Sequence, residues 1–360
     1  MSWENLKILL ISPEAWGRFW VSKHHYANEL ARRGANVWFL NPPEKHWSLR
    51  KLPNNISIIT YKHIKGINKY PKQVRDFLNR KIIDKIYQFG GINHPDIVWH
   101  FDPFRFQNMK LFGAKKTIYH QVDRHHAILE KIVIESSDLA LTVSPYFSNA
   151  ENDPKSKLNA IGHSLPDHFT LDDHSFSRNT QIKIGYSGNL QSQWIDKELV
   201  MKLVKSFTDV SFYFAGPCNY SNIQGNVGTT QSLEFLSFPN VKVINLETNE
   251  LPTFLSSMDI LLLFYKKTGD NYPVNSHKIL EYLSSGKIVL SMPIRDYFDK
   301  GDLMVIANSH EEYLAKLSEA IANIDECNSE VKQKERIEFA NRFNYDRQLE
   351  LIYEMLYGQN

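Results

Sequence analysis

Short, nearly continuous apolar runs recur along the chain, most of them bounded by polar turns. KILLIS at 7–12, NVWFL at 36–40, DIVWHF at 96–101, KTIYH at 116–120, LALTV at 139–143 and LNAIG at 158–162 have the length of strands buried on both faces of a sheet. Helical stretches lie between several of them, the first from about Ser22 to Arg33 and closed by Gly34. This alternation predicts a parallel sheet with helices on its faces. A polar stretch, LDDHSFSRNT at 171–180, interrupts it and reads as a linker.

The pattern then restarts. IKIGYSG at 182–188, a helix near 196–207, VSFYFAG at 210–216, NVKVI at 240–244, a short helix near 251–257, DILLLFY at 259–265, LMVIA at 303–307 and a helix from about Glu311 to Ala322 follow in order. The tail, 331–357, reads as helical. The expected organisation is a first doubly wound domain at 1–170, the linker at 171–180, a second at 181–335, and a helical tail at 336–360 for which a return to the first domain is open. Two such domains would face each other across a cleft, a common place for a ligand.

Within the second domain, NSHKILEYLSSGKIVLSMP at 275–293 is the most informative stretch. Ser276 suits a helix N-cap, Ile279, Leu280 and Leu283 form an apolar side, Gly286 ends the helix and Ile288–Ser291 is a strand. With DILLLFY before it, the unit is strand, loop, helix, strand. Ligands of such units sit outside the carboxyl ends of the strands, so the loop KKTGDNYPVN at 266–275 lies where a ligand would.

Composition narrows the class. A chain of 360 residues with 42% hydrophobic and 23% charged residues fits two globular domains and excludes disordered and fibrous classes. Cys218 and Cys327 stand apart from each other and from metal-ligand neighbours, which fits a reducing compartment and suggests neither a disulfide framework nor a zinc site. No signal peptide is evident in MSWENLKILLISPE, and no apolar run is long enough to span a bilayer, so a cytoplasmic location is expected.

The net charge of +2 conceals an asymmetry: residues 1–170 hold 24 Lys and Arg against 15 Asp and Glu, and the remainder 18 against 25. Much of the basic excess falls in 61–89. A solvated helix face explains such a run; a surface for anionic lipid or an acidic acceptor is the functional alternative. In 71–89, Val74, Phe77, Leu78, Ile82, Ile86 and Phe89 recur near helical spacing and are expected to pack inward, leaving Lys72, Arg75, Arg80, Lys81 and Lys85 as the offered charge.

Neither half contains G-x-G-x-x-G or a phosphate loop, which weakens dehydrogenase and kinase readings. NSHKILEYLSSGKIVLS after DILLLFY instead resembles the donor-binding segment of GT-B glycosyltransferases, especially family 4 and its relatives, where K-x-x-E-[YA] recurs. Residues 11–43 are similar to the amino-terminal loop and first helix of that family, KTIYHQVD at 116–123 to its strand ending in histidine, LTVSPYFS at 141–148 and AIGHSLPDHF at 160–169 to later turns, and IGYSGNL at 184–190 and FYFAGP at 212–217 to the strands opening its second domain. These segments, in order, span about nine tenths of the chain.

The resemblance implies GT-B architecture, two Rossmann-like domains, and a metal-independent, retaining transfer from a nucleotide-diphosphate sugar to a saccharide or lipid-linked acceptor in surface polysaccharide or glycolipid synthesis. That donor is a substrate, and no cofactor, metal or nucleic acid is expected. Lys278, in the first turn of its helix, is suited to the diphosphate, and Glu281 one turn on to the ribose hydroxyls. A surface ion pair is their bland alternative. Gly188, Asn189 and Ser276 join the donor set.

The family's second glutamate, eight positions before Glu281, is here Pro273, so the sugar contact is expected from the loop around Asp270 and Asn271. Asn189 stands near the family's arginine position, and Lys197 is displaced beyond QSQWID. His120 and Asp123 are the catalytic candidates, for orienting a sugar hydroxyl or assisting the acceptor proton. Arg18, Lys23 and His24 are candidates for acceptor or phosphate. Competing readings are a nucleotide-sugar epimerase of the same fold and a non-catalytic sugar-nucleotide binding or scaffold protein, the latter supported by Pro273.

Overall fold

The computed structural model describes residues 2–17, 20–123, 127–147, 157–169, 181–216, 233–267, 273 and 275–358. Cα packing divides the chain into two units, Met1–Gly162 with Tyr345–Asn360, and His163–Asn344. The stretch 171–180, read as a linker, lies outside the described residues.

In the first unit, β1 (Lys7–Ile11), α1 (Ser22–Arg32), β2 (Asn36–Leu40), β3 (Ser48–Lys51), β4 (Ile56–Thr60), α2 (Lys72–Gly90), β5 (Ile97–His100), β6 (Lys116–Gln121), α3 (Ala127–Ser136), β7 (Leu139–Thr142) and β8 (Leu158–Ala160) follow one another. Among the described residues the sheet has the order β3-β4-β2-β1-β5-β6-β7-β8 and is parallel except for the antiparallel edge pair β3–β4. The sequence pattern marked neither β3 nor β4: SLRK is an edge strand with all four residues exposed, so no apolar periodicity is required of it, and in ISIIT the half-buried Ser57 interrupts the apolar run.

β1 illustrates why most of the other strands are legible. Ile8 and Leu10 enter a core with Tyr26 and Leu30 of α1, whereas Leu9 and Ile11 enter a second core with Ile82, Ile83 and Ile86 of α2. Burial on both faces demands an uninterrupted apolar strand, and each fully buried side chain contributes about 1.5–3 kcal/mol. At the end of α1, Gly34 has φ +85°, and the Gly34 and Ala35 amides donate to the Ala31 and Leu30 carbonyls. This left-handed turn aims the chain into β2.

The second unit contains β9 (Lys183–Ser187), α4 (Lys197–Ser206), β10 (Ser211–Ala215), β11 (Val241–Ile244), α5 (Leu251–Ser256), β12 (Ile260–Leu263), α6 (His277–Ser284), β13 (Ile288–Ser291), β14 (Val305–Ile306), α7 (His310–Ala322), α8 (Ile324–Cys327) and α9 (Glu330–Asn341). Its sheet, parallel throughout, has the order β11-β10-β9-β12-β13-β14 among the described residues. Leu199, Leu203, Tyr313 and Leu317 cover one face, and Leu255, Ile279, Leu280, Leu283 and Ala340 the other.

The helical tail is split between the units. α9 packs with α6 in the second, while α10 (Tyr345–Tyr357) packs Tyr345, Leu349 and Ile352 into the core beneath α1 in the first. In the second sheet β9 is the switch point, with β10 on one side and β12 on the other. Ligands of such sheets bind outside the carboxyl end of that strand.

Candidate functional site

α6 is fastened to the carboxyl end of β9 by Tyr282. The ring is fully buried, and its hydroxyl oxygen accepts a hydrogen bond from the Ser187 amide at 2.7 Å. Lys278 precedes Tyr282 by four residues and shares that side of the helix. The residue after Ser187 is Gly188, where a Cβ would stand 2.6 Å from Lys278 Cε and 2.8 Å from the Tyr186 hydroxyl, at φ +141°. Glycine is therefore required for the lysine to lie across the strand end.

Gly216 repeats the device beyond β10. A Cβ there would meet the Gly188 carbonyl oxygen at 2.3 Å, at φ +134°. Two half-buried glycines at adjacent strand ends bring close-packed backbone, the Lys278 side chain and the first turn of α6 into one neighbourhood. Positive charge and a helix N-terminus favour a phosphate there.

Glu281 lies one turn along the same helix, its side chain only 13% exposed. Burial pushes its carboxyl up to about 7, with Lys278 pulling in the opposite direction. His277 Nε2 stands 3.8 Å from Glu281 Oε1.

Ser276 occupies the N-cap of α6 with extended backbone, but its side chain caps no helix amide; its hydroxyl lies 3.4 Å from that of Tyr265. The entry to the helix is fixed instead by Asp296, which accepts from the Asn275 amide at 2.7 Å, and by the Pro273 carbonyl, which accepts from the Arg295 amide at 3.0 Å. Pro273 thus serves a backbone turn.

The Asn189 side chain shapes its own loop: Oδ1 accepts from the Gln191 amide at 2.9 Å. That loop runs beside the end of β12, where Asp196 donates its amide to the Phe264 carbonyl and Lys266 its amide to the Trp194 carbonyl, each at 2.8 Å. Lys197, first in α4, is thereby brought near Lys266. Burial, and then the Lys266 charge, hold the Lys197 ammonium below the usual lysine range. Lys266 entered the sequence reading only as the first residue of the loop 266–275. Asp270 and Asn271 lie outside the described residues, as does Arg18.

In the first unit the structure corrects two expectations. His24 is fully buried and spends both ring nitrogens on backbone: the Val21 amide donates to Nδ1 at 3.1 Å, so Nε2 carries the proton and donates to the Ala15 carbonyl at 3.1 Å. Burial lowers its pKa to about 4, leaving a neutral imidazole with no nitrogen for a phosphate. Lys23, 3% exposed, is paired with Glu14 at 3.2 Å, so its charge is answered inside the unit.

His120, near the end of β6, is 1% exposed and wedged among Phe101 at 5.1 Å, Tyr26 at 5.5 Å and Trp99 at 6.0 Å between ring centroids. Asp123, two residues beyond β6, is exposed.

No protein-family model matches the chain, nor does any curated protein sequence. Solved structures do. Sucrose-phosphate synthase from Thermosynechococcus elongatus is similar with a TM-score of 0.71 at 10% identity, covering 99% of this chain and 100% of its own. A glycosyltransferase from Rickettsia africae is similar with a TM-score of 0.66 at 14% identity, covering 98% and 97%. HepE of Anabaena, in complex with UDP and glucose, gives 0.69 at 11% identity, covering 97% and 99%. The chain has the GT-B fold of these structures.

Proposed function

We propose that the chain is a glycosyltransferase, moving a sugar from a nucleotide-diphosphate sugar to an acceptor in surface polysaccharide or glycolipid synthesis, metal-independent and retaining. The observation that carries this reading is Lys278 lying across Gly188 at the switch point of the second sheet. As the glycosidic bond to the diphosphate breaks, negative charge accumulates on the leaving oxygens. A lysine and the positive end of a helix dipole, held before the reaction begins, stabilise that charge.

Glu281, when ionised, is suited to accept hydrogen bonds from ribose hydroxyls. The similar structures that hold UDP or UDP-glucose support a nucleotide-sugar donor here. Retention and the polysaccharide or glycolipid role rest on the sequence resemblance. His120 is assigned no proton transfer, because its ring is enclosed by aromatic neighbours. Asp123 keeps the role of contacting a sugar or acceptor hydroxyl. The acceptor is taken to be a saccharide or a lipid-linked sugar at the inner face of a membrane.

Incubation with a panel of nucleotide-sugars tests the reading. Slow hydrolysis to the nucleoside diphosphate is expected of a transferase without acceptor. Recovery of an altered sugar would favour the epimerase, and binding without turnover a scaffold.

A further inference from the structure

The basic segment of the first unit offers more than charge. Asn79, Ile82, Ile83, Ile86 and Gly90 mark the buried arc of α2. At about 100° per residue, Val74, Phe77, Lys81 and Lys85 project from the opposite side. Val74 is 44%, Phe77 61% and Phe89 38% exposed, so these three do not pack inward as their spacing suggested. Lys81 holds its ammonium 5.7 Å from the centre of the Phe77 ring.

Further apolar side chains extend the patch. Tyr70, just ahead of α2, is 48% exposed, and Phe104 is 45% exposed. The Asn68 side chain donates to the Phe104 carbonyl at 2.9 Å, and that of Asn108 to Asp76 of α2 at 3.0 Å, which ties the Phe104 turn to the segment ahead of α2 and to the helix flank beside Phe77. The turn is stiff. Asp102 Oδ1 accepts from the Phe104 amide at 2.9 Å, and the buried Arg105 guanidinium donates to Asp102 and the Ser12 carbonyl at 2.5 Å and to the Asn41 carbonyl at 3.0 Å. Around these side chains, residues 62–89 carry eight Lys and Arg against two Asp.

We propose that this face docks on an anionic bilayer, with Phe77, Val74, Tyr70 and Phe104 entering the headgroup boundary and the surrounding lysines meeting lipid phosphates. Exposed apolar side chains ringed by one sign of charge are unfavourable in water and complementary to an interface that is apolar below and negative above. The long lysine stems let the ammonium groups stay at phosphate level while the rings descend. A purely electrostatic surface would not need Phe77 outward. The inference deepens the membrane part of the proposed function and uses none of the donor-site residues.

Sedimentation of the full chain with vesicles tests it, using phosphatidylcholine alone and mixed with phosphatidylglycerol, at low and high salt. Binding to the anionic mixture is expected, with a part that persists at high salt. Replacing Lys69, Lys72, Lys81 and Lys85 by glutamine should weaken the low-salt binding roughly fivefold per residue. Val74→Ser with Phe77→Ser should abolish the salt-resistant part, a loss of about tenfold or more, while Phe77→Trp should retain it.

Melting temperatures should stay unchanged in all of these variants, because the side chains are exposed. Absence of anionic-vesicle binding, or double-serine binding equal to wild type, would overturn the proposal. So would complete displacement by heparin at every salt concentration, which would mark a general polyanion surface. Nucleotide-sugar binding measured on the same variants separates the two claims. Its absence from all of them alongside intact vesicle binding would sink the proposed function and leave this face standing.

Discussion

The Ser187 amide and the Tyr282 hydroxyl, 95 positions apart in the chain, meet at 2.7 Å in the core of the second unit. Through this bond the carboxyl end of β9 and the middle of α6 are one piece, and Lys278, a turn away, inherits its position from it. Tyr282→Phe removes the acceptor and little else. A buried donor left without its partner costs about 1–3 kcal/mol, and the variant should also bind nucleotide-sugar more weakly, since α6 is no longer held at the strand end. Chemical unfolding together with donor titration checks both. Unchanged affinity in a destabilised variant would reduce the bond to a structural one.

Glu281 gives the second unit a pH dependence whose sign can be stated. Its pKa is raised by burial to about 7 in the folded chain, so between about 4.5 and about 7 the folded state holds a proton that the unfolded state does not. The stability this contributes is complete below about 4.5 and is lost as pH rises through about 7, on the order of 3 kcal/mol in all. Glu281→Gln should flatten that slope and be the more stable chain near about pH 8. Donor binding should move the other way, because only the ionised carboxylate accepts from both ribose hydroxyls. Wild-type affinity for a nucleotide-sugar is expected to rise through about pH 7, whereas that of the Gln variant stays flat. Parallel profiles for the two proteins would remove Glu281 from the donor site.

Arg105 supports the first unit from inside. Its guanidinium reaches Asp102, the Tyr61 hydroxyl and two strand-end carbonyls, those of Ser12 and Asn41. Arg105→Ala strands the Asp102 carboxylate and both carbonyls in a buried place. Breaking such a pair costs about 3–5 kcal/mol, read as an earlier unfolding transition of the first unit. A loss below about 1 kcal/mol would mean that water replaces the guanidinium.

Most of the strands were legible because burial on both faces leaves no polar position to confuse the pattern. KILLI and ILLL carry this in their composition. The α6 segment was legible for a related reason: Ile279, Leu280 and Leu283 mark its buried side, and Gly286, at φ +75°, its end.

Side-chain roles met by backbone were not legible. Nothing in SKHHYA distinguishes an imidazole that bonds Ala15 and Val21 from one awaiting a phosphate. Lys23 finds its partner Glu14 nine positions earlier, across a loop. On α2 the spacing of Val74 and Phe77 matched an inward stripe, but the arc that packs is set by Ile82, Ile83 and Ile86. Tyr282 fell in the last position of K-x-x-E-[YA], but its role was not legible, since a tyrosine on an apolar helix side reads as filler until its hydroxyl is seen at β9.

The central claim is that Lys278, crossing Gly188, receives the diphosphate of a nucleotide-sugar. Calorimetric titration of wild type and Lys278→Ala with UDP- and GDP-sugars tests this most directly, with melting temperature as the control for folding. The account predicts that at least one nucleotide-sugar binds wild type and that Lys278→Ala weakens it by about tenfold or more, the loss of a charge-assisted contact worth about 1.5–3 kcal/mol, with little change in melting temperature. Equal affinity in the two proteins, or a loss of affinity that merely follows a fall in melting temperature, would contradict it.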